Sequence, residues 1–244
     1  MSNFSKIKKK LNVYLQNKNN YVARYELLSI FSSKLIPLLP KSIKLNIAVI
    51  GGSESEPEIQ FINQSKKVTV FGIDKGSKTN YLDLNKKYKN QHKSFHGSFD
   101  LILFNQTLEH IWNHSNAFII FKKFLKKKGF LWLTCPCSNI YHNSPEYYSA
   151  GFTYQYINNI AENHNLKTVH SNSFGSERLY KFIHLKHTWP TYEEYFSPIL
   201  YFILNHRNYF KSKIISRIIL SFANKDFTNN DLYKCETFGI YRNK

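Results

Sequence analysis

The segment from Phe99 to Asn139, FDLILFNQTLEHIWNHSNAFIIFKKFLKKKGFLWLTCPCSN, leaves this chain few folds to choose from. Phe99 to Asn105 is apolar almost throughout, which a strand needs when its sheet is covered on both faces. Phe130 to Thr134 is a second such run, and the residues between them predict a helix. Strand, helix and strand in this order form a parallel pair in an α/β sheet. Ligands bind at the carboxyl ends of such strands, and Asn105 to Glu109 fall there.

Upstream, Asn46 to Glu58 reads NIAVIGGSESEPE: a short apolar strand, a Gly/Ser turn and the start of a helix. Gly51 and Gly52 stand where the turn needs positive φ or close backbone approach to a ligand. Ser55, with Glu58 three residues on, has the pattern of a capping box, and Pro57 is tolerated in a first helical turn. Val68 to Asp74 is a β-branched run ending in a carboxylate that lies 23 residues after Gly51. In nucleotide-binding α/β domains an acid at about that distance holds ribose hydroxyls. Tyr81 to Asn85, YLDLN, is a further short apolar segment.

In series these elements resemble the catalytic domain of class I S-adenosylmethionine-dependent methyltransferases, over about Asn46 to Gly175 with a further match at the carboxyl end. The resemblance implies a Rossmann-like α/β fold: a seven-stranded, mostly parallel sheet with helices on both faces and an antiparallel last strand. It implies S-adenosylmethionine as cofactor, held by Gly51, Gly52, Ser53 and Glu54 in the turn and by Asp74 at the ribose. Asp83 and Leu84 would lie beside the adenine, and Asn105 and Gln106 at the end of the fourth strand. The chain departs from the family's pattern at the later glycine positions, occupied by Ser53 and Ser55, and at the acid before them, occupied by Val49. Glu54 is the expected substitute for that acid.

The segment FNQTLEH lacks the Asn-Pro-Pro-aromatic signature of many enzymes that methylate amino groups of bases or glutamine. It resembles small-molecule and sugar methyltransferases, including those of surface-glycan pathways. For an oxygen acceptor a base must lie near the departing proton, and histidine suits neutral pH. His110, and His142 in the loop after the Phe130 strand, are the candidates. Alternative readings are an RNA methyltransferase and a noncatalytic methyltransferase-like binding or scaffold protein.

Four regions are expected: an N-terminal helical cap over residues 1–44, the core over 45–188, a helical insertion over 189–230, and a final core strand over 231–244. Phe4, Ile7, Leu11 and Leu15, then Val22, Tyr25, Leu28, Phe31 and Leu35, have helical spacing, and Pro37 and Pro40 end the run. Tyr154 to His164 predicts a helix, Leu166 to Ser173 a sixth strand, and Lys234 to Arg242 an antiparallel last strand. In the insertion the uncharged run Tyr195 to His206 is too short to span a bilayer. An acceptor lid, a homodimer surface and an interfacial helix touching anionic lipid remain open for it.

A net charge of +18 points toward nucleic acid or an anionic surface. Only five of the 34 basic residues are arginines, however, and Asn, Ile, Phe and Tyr are abundant, which matches AT-rich coding. Lys6 to Lys10, Lys86 to Lys89 and Lys122 to Lys128 are three separated clusters, so a solvated surface is favoured over a nucleic-acid groove. The last cluster is expected at a helix end, where cations complement the macrodipole, before Gly129 closes it. Three cysteines are too few for a disulfide framework, and no N-terminal apolar stretch resembles a signal peptide, so cytoplasm is the expected compartment. Cys135-Pro-Cys137 lacks a second ligand pair. His110 and His114 have the spacing of a helical metal pair but no third ligand, which favours a structural role. No metal is expected.

Overall fold

The computed structural model describes residues 22–41, 44–74, 76, 80–87, 90–138, 146–175 and 234–244. Most of the expected cap, His142, and the insertion over 189–230 lie outside the described residues. Two compact units divide the chain: Met1–Ile30 with Phe174–Cys235, and Phe31–Ser173 with Glu236–Lys244. In the first unit the described helix is α1, Val22–Ile30.

The second unit begins with a π-helical stretch, Phe31–Leu35, and a 3-10 turn, Ile36–Leu38, that contains Pro37. β1 (Leu45–Ile50), α2 (Pro57–Phe61), β2 (Lys66–Gly72) and β3 (Asn80–Tyr81) follow. Next come β4 (Phe99–Asn105), a 3-10 turn at Leu108–His110, α3 (His114–Phe124), β5 (Leu125–Pro136), α4 (Tyr154–Asn163), β6 (Leu166–Phe174) and β7 (Glu236–Asn243). The strands form one seven-stranded sheet in the order β3-β2-β1-β4-β5-β7-β6. β1 pairs in parallel with β2 and β4, β2 with β3, and β4 with β5, whereas β7 runs antiparallel to β5. This is the sheet that the apolar runs predict.

Every residue of β4 is buried. Ala48, Ile50, Ile102, Phe104, Leu131, Leu133 and Tyr241 form one packed cluster with Phe118, Phe121 and Phe124 of α3 and Ile157 and Ala161 of α4. The intervening Ile47, Val49, Leu101, Leu103 and Trp132 are buried on the opposite face. There the Phe31 ring meets the Trp132 ring edge-on at 5.2 Å. α3 starts at an Asn113 cap whose side chain accepts from the Asn116 amide, and α4 at a Thr153 cap that accepts from Tyr156.

Two local expectations are corrected. Ser55 does not cap a helix: its hydroxyl lies 2.7 Å from that of Ser53, and the Glu56 amide donates to the Ser53 carbonyl. The turn is thereby extended, and helix α2 begins only at Pro57, with Glu56 at the cap position and no side-chain cap bond. The lysines after α3 do not all lie in its last turn. Lys122 and Lys123 do, but Leu125 is already extended and pairs with Phe99, so Lys126 to Lys128 belong to β5. Asp100 draws Lys126 into this arrangement through two contacts of 2.9 Å. Gly129 is pressed among the Phe99, Lys126 and Asp100 carbonyls, where a Cβ would come within 2.9 Å of the first.

Asp100 also accepts from the Asn46 amide at 2.9 Å, tying the start of β1 to β4. Replacing Asp100 with Ala leaves that amide and Lys126 without their acceptor, and is expected to lower unfolding stability by about 2–3 kcal/mol. Urea unfolding checks this; an unchanged midpoint would mean that water replaces the carboxylate without cost.

Candidate functional site at the carboxyl ends of the strands

The turn after β1 is shaped by contact with the turn after β4. Gly51 has φ +74, and a Cβ on it would lie 2.5 Å from Thr107 Cγ2 and 2.7 Å from Thr107 Oγ1. Both backbone conformation and space therefore demand glycine. The Gly51 amide donates to the Phe71 carbonyl at 2.9 Å, which fixes the turn against β2. At Gly52 a Cβ would meet Glu56 Oε1 at 2.6 Å.

A cleft of about 680 Å³ opens here, lined by Gly51, Gly52, Ser53, Glu54, Asp74 and Asn80 together with residues 68–70, 72 and 73. Five of the expected site residues, Gly51, Gly52, Ser53, Glu54 and Asp74, thus line the same cleft. Asp74 is exposed, two residues past the end of β2. Asn80, whose side-chain amide donates to the Val70 carbonyl, joins them unanticipated.

Asp83, Leu84, Asn105 and Gln106 do not line this cleft. The Asp83 carboxylate accepts from the Asn85 and Lys86 amides at 3.0 and 3.2 Å and pairs with Lys86 Nζ at 3.2 Å. Burial opposes its charge, but bonds from Lys86, Asn85 and Tyr81 outweigh it and hold the carboxyl below the usual range. The Leu84 side chain is in the core, and its carbonyl accepts from Asn116. Asn105 donates to Glu56 Oε2 at 2.9 Å and accepts from Thr134. Gln106 has φ +47, rare for a residue with a side chain, and donates to Glu236 Oε2 at 2.8 Å.

Sequence reasoning passed over two acids. Glu56 is the one tied to Asn105 beside Gly52, yet nothing in the spacing of SESEPE separates it from Glu54 or Glu58. Glu109 is 1 % exposed and its Oε2 has no hydrogen-bond partner. Burial pushes its carboxyl up to about 7, opposed by a backbone hydrogen bond. The LEH motif marked the position, but not that the carboxylate would be sealed in.

His110 Nδ1 bonds the Glu146 carbonyl, and Nε2 lies 4.0 Å from Glu109 Oε1. His110 ends the 3-10 turn and His114 opens α3, so the two do not share a helix face. His114 instead bonds the Tyr156 hydroxyl and packs edge-on against Phe152. Among the described residues no group of three or more His, Cys, Asp or Glu side chains could hold a metal ion. Among them, too, no helix is long and apolar enough to cross a membrane.

No protein-family model matches the sequence, and no curated protein matches it. Solved structures do. A candidate sarcosine dimethylglycine methyltransferase from Galdieria sulphuraria aligns over 90% of this chain and 84% of its own, at 12% identity and TM-score 0.52. An S-adenosylmethionine-dependent methyltransferase from Archaeoglobus fulgidus covers 90% and 94% at 14% identity and TM-score 0.50. The 1,6-didemethyltoxoflavin N1-methyltransferase of Burkholderia thailandensis, with bound 1,6-didemethyltoxoflavin and S-adenosylhomocysteine, covers 93% and 80% at 10% identity and TM-score 0.50. The fold is that of the class I methyltransferases.

The Glu109 carboxyl makes stability depend on pH. Its folded value near 7 exceeds the ordinary 4.5, so the folded chain holds the proton more tightly. Its contribution is fully present below pH 4.5 and is lost as pH rises through 7. The interval corresponds to roughly 3 kcal/mol. Glu109→Gln should therefore gain stability relative to the parent chain by up to that amount between pH 4.5 and 8. Urea unfolding across this range measures it, and a constant difference would contradict the buried charge.

Proposed function

We propose that this chain is an S-adenosylmethionine-dependent methyltransferase of the cytoplasm, acting on an oxygen of a sugar, a glycan precursor or another small metabolite. The observation that carries the reading is the cleft bounded by the left-handed Gly51 turn and Asp74. Its volume is that of a small-ligand site, and glycine backbone and carboxylates line it together. That combination fits a nucleoside carrying a positive charge.

When bound, S-adenosylmethionine supplies a methyl group already activated as a sulfonium. The chain's own task is to hold, orient and keep dry. Asp74 would accept from the ribose hydroxyls, with Gly51, Gly52 and Ser53 giving backbone approach. Glu54 and Glu56 take the place of the acid absent at Val49, facing the ammonium end. We assign the segment containing Asp83 and Leu84 to the adenine end. Asn105 and Gln106 would stand at the methionine end by position, their side chains being engaged with Glu56, Thr134 and Glu236, the Gln106 amide with the Thr134 carbonyl and the Asn105 carbonyl with Thr107. His110 and His142 are the proposed proton acceptors for the methyl acceptor, His110 being at the carboxyl end of β4. Small-molecule acceptors agree with the ligand named for the Burkholderia structure.

The charge of +18 favours RNA as a second acceptor class. Against it, Lys126 is spent on Asp100, Lys122 on Asn243 and Lys66 on the Ile62 carbonyl, all within the fold. RNA binding that fades steeply with salt and shows no sequence preference would mark the charge as nonspecific. A homodimer or a peripheral membrane contact would rest on residues 189–230, outside the described chain.

Calorimetry with S-adenosylmethionine tests the reading: absence of binding at millimolar ligand would leave a scaffold protein instead. Asp74→Ala should weaken that binding by about 1.5–3 kcal/mol, the worth of one to three hydrogen bonds. Equal affinities of the two proteins would remove Asp74 from the site.

A further inference from the structure

Cations that are far apart in the sequence meet at one end of the sheet. Parallel strands bring the residues that open them to the same end, and an antiparallel strand adds the residues that close it. At this amino end, away from the cleft, Lys44 precedes β1 and Lys67 lies in β2 beside Asn46. Lys127 and Lys128 stand near the start of β5, and Arg242 and Lys244 end the chain at β7, Arg242 in register with Phe130. All six are exposed. Because β2, β1, β4, β5 and β7 are successive neighbours, the row is roughly 19 Å long at about 4.8 Å per strand. Among the described residues at these strand ends the acid is Asp100, which is buried and bonded to Lys126 at 2.9 Å. Its charge is answered inside the fold.

The two lysines of β5 sit on a bulge. Between the pairs Phe99 with Leu125 and Leu101 with Phe130, β4 advances two residues and β5 advances five, so β5 carries three extra residues. Lys126 is turned to Asp100, while Lys127 and Lys128 are exposed. Lys128 has φ +68, a conformation that glycine or asparagine adopts at lower cost. AT-rich coding explains lysine in place of arginine, but asparagine codons are as AT-rich as those of lysine. Coding therefore does not account for a lysine at this position, and a strained backbone with an exposed cation points to a use for the side chain.

We propose that this basic row docks the chain on an anionic lipid surface, leaving the cleft at the other end of the sheet open to solvent. Each lysine or arginine close to such a surface raises affinity about fivefold. Nucleic acid suits the row less well. Five of the six cations are lysines, point charges without the fork that grips a phosphate in two places, and the guanidinium of Arg242 lies 5.7 Å above the Phe130 ring. The exposed aromatics to which a base would stack, Trp112, Tyr148 and Tyr156, belong to the opposite end, where the Tyr148 amide bonds the Glu109 carbonyl and the Tyr156 hydroxyl bonds His114. The core sheet makes this contact, separately from any that residues 189–230 would add.

Cosedimentation of the full chain with vesicles tests the proposal. The parent chain should bind vesicles of equal parts phosphatidylcholine and phosphatidylserine, be released as salt rises, and ignore phosphatidylcholine alone. Lys127→Gln combined with Lys128→Asn, which suits the left-handed backbone, should weaken that binding roughly 25-fold, fivefold for each cation. Lys34→Gln with Lys87→Gln removes the same charge from exposed positions outside the row and should cost about threefold or less. Equal losses in the two pairs would make total charge the cause and overturn the proposal, as would a parent chain that ignores the anionic vesicles. Should the β5 variant fail to fold, Lys44→Gln with Lys67→Gln, on the neighbouring strands, is expected to show the same loss. A duplex DNA oligomer that binds more tightly than the vesicles at equal salt, and depends on the same lysines, would give the row to nucleic acid and overturn lipid as its partner.

Discussion

Contact between Gly51 and Thr107 sets the geometry on which the candidate site depends. β1 and β4 are adjacent and in register from Ile47 opposite Leu101 to Val49 opposite Leu103, so their tips must turn away from the sheet side by side. Two ordinary turns would collide there. The chain avoids this by placing a residue without Cβ on one side and a left-handed Gln106 on the other. Thr107 then closes on Gly51 while its hydroxyl donates back to the Asn105 carbonyl. The strain at Gln106 is offset by its bond to Glu236, which brings the start of β7 to the same edge. A Cβ on Gly51 would drive the turns after β1 and β4 apart.

The cleft beside this contact owes its extent to the shortness of α2. Five residues of helix cannot cover the length of β2, and that strand is only partly buried although it lies second from the sheet edge. The cleft consequently runs down over residues 68–70 rather than ending at the strand tips. Phe71 anchors the strand from the covered face, meeting the rings of Phe95, Phe99 and Phe124 at 4.9–5.8 Å. Adhesion on one face and an open surface on the other follow from the same short crossover.

Most of the sheet was legible because burial on both faces forces continuous apolar runs. Phe99–Asn105 was bounded correctly, and the last strand and the helix and strand from Tyr154 to Phe174 were placed within a residue or two. What failed was local competition. Ser55 and Glu58 spell a capping box, but Ser53 offers Ser55 a nearer hydroxyl, and the chain stays a turn. Lys126 to Lys128 continue a helical pattern, yet the Asp100 carboxylate and the edge of β4 claim them for a strand. That Gly51 and Asp74 would come to one cleft was legible because backbone geometry and fixed spacing leave marks in a sequence. Glu56 and Glu109 were not, because what distinguishes them is where other strands bring Asn105 or exclude water.

Scarcity makes the positions of the acids informative. The chain has 16 acidic residues against 34 basic ones, so a surface drawn at random from it is strongly positive. Glu54 and Asp74 nevertheless line the cleft, Glu56 lies beside Gly52, and Glu109 and Glu236 stand at the neighbouring end of β4 and β7. Among the described residues that line the cleft none is basic. A phosphate-rich ligand would meet carboxylates there and be repelled, whereas a cation would be favoured at short range, inside the reach of salt screening. These acids thus run against the sign of the whole chain. In the proposed reading Glu54 and Asp74 favour a sulfonium-bearing nucleoside in the cleft.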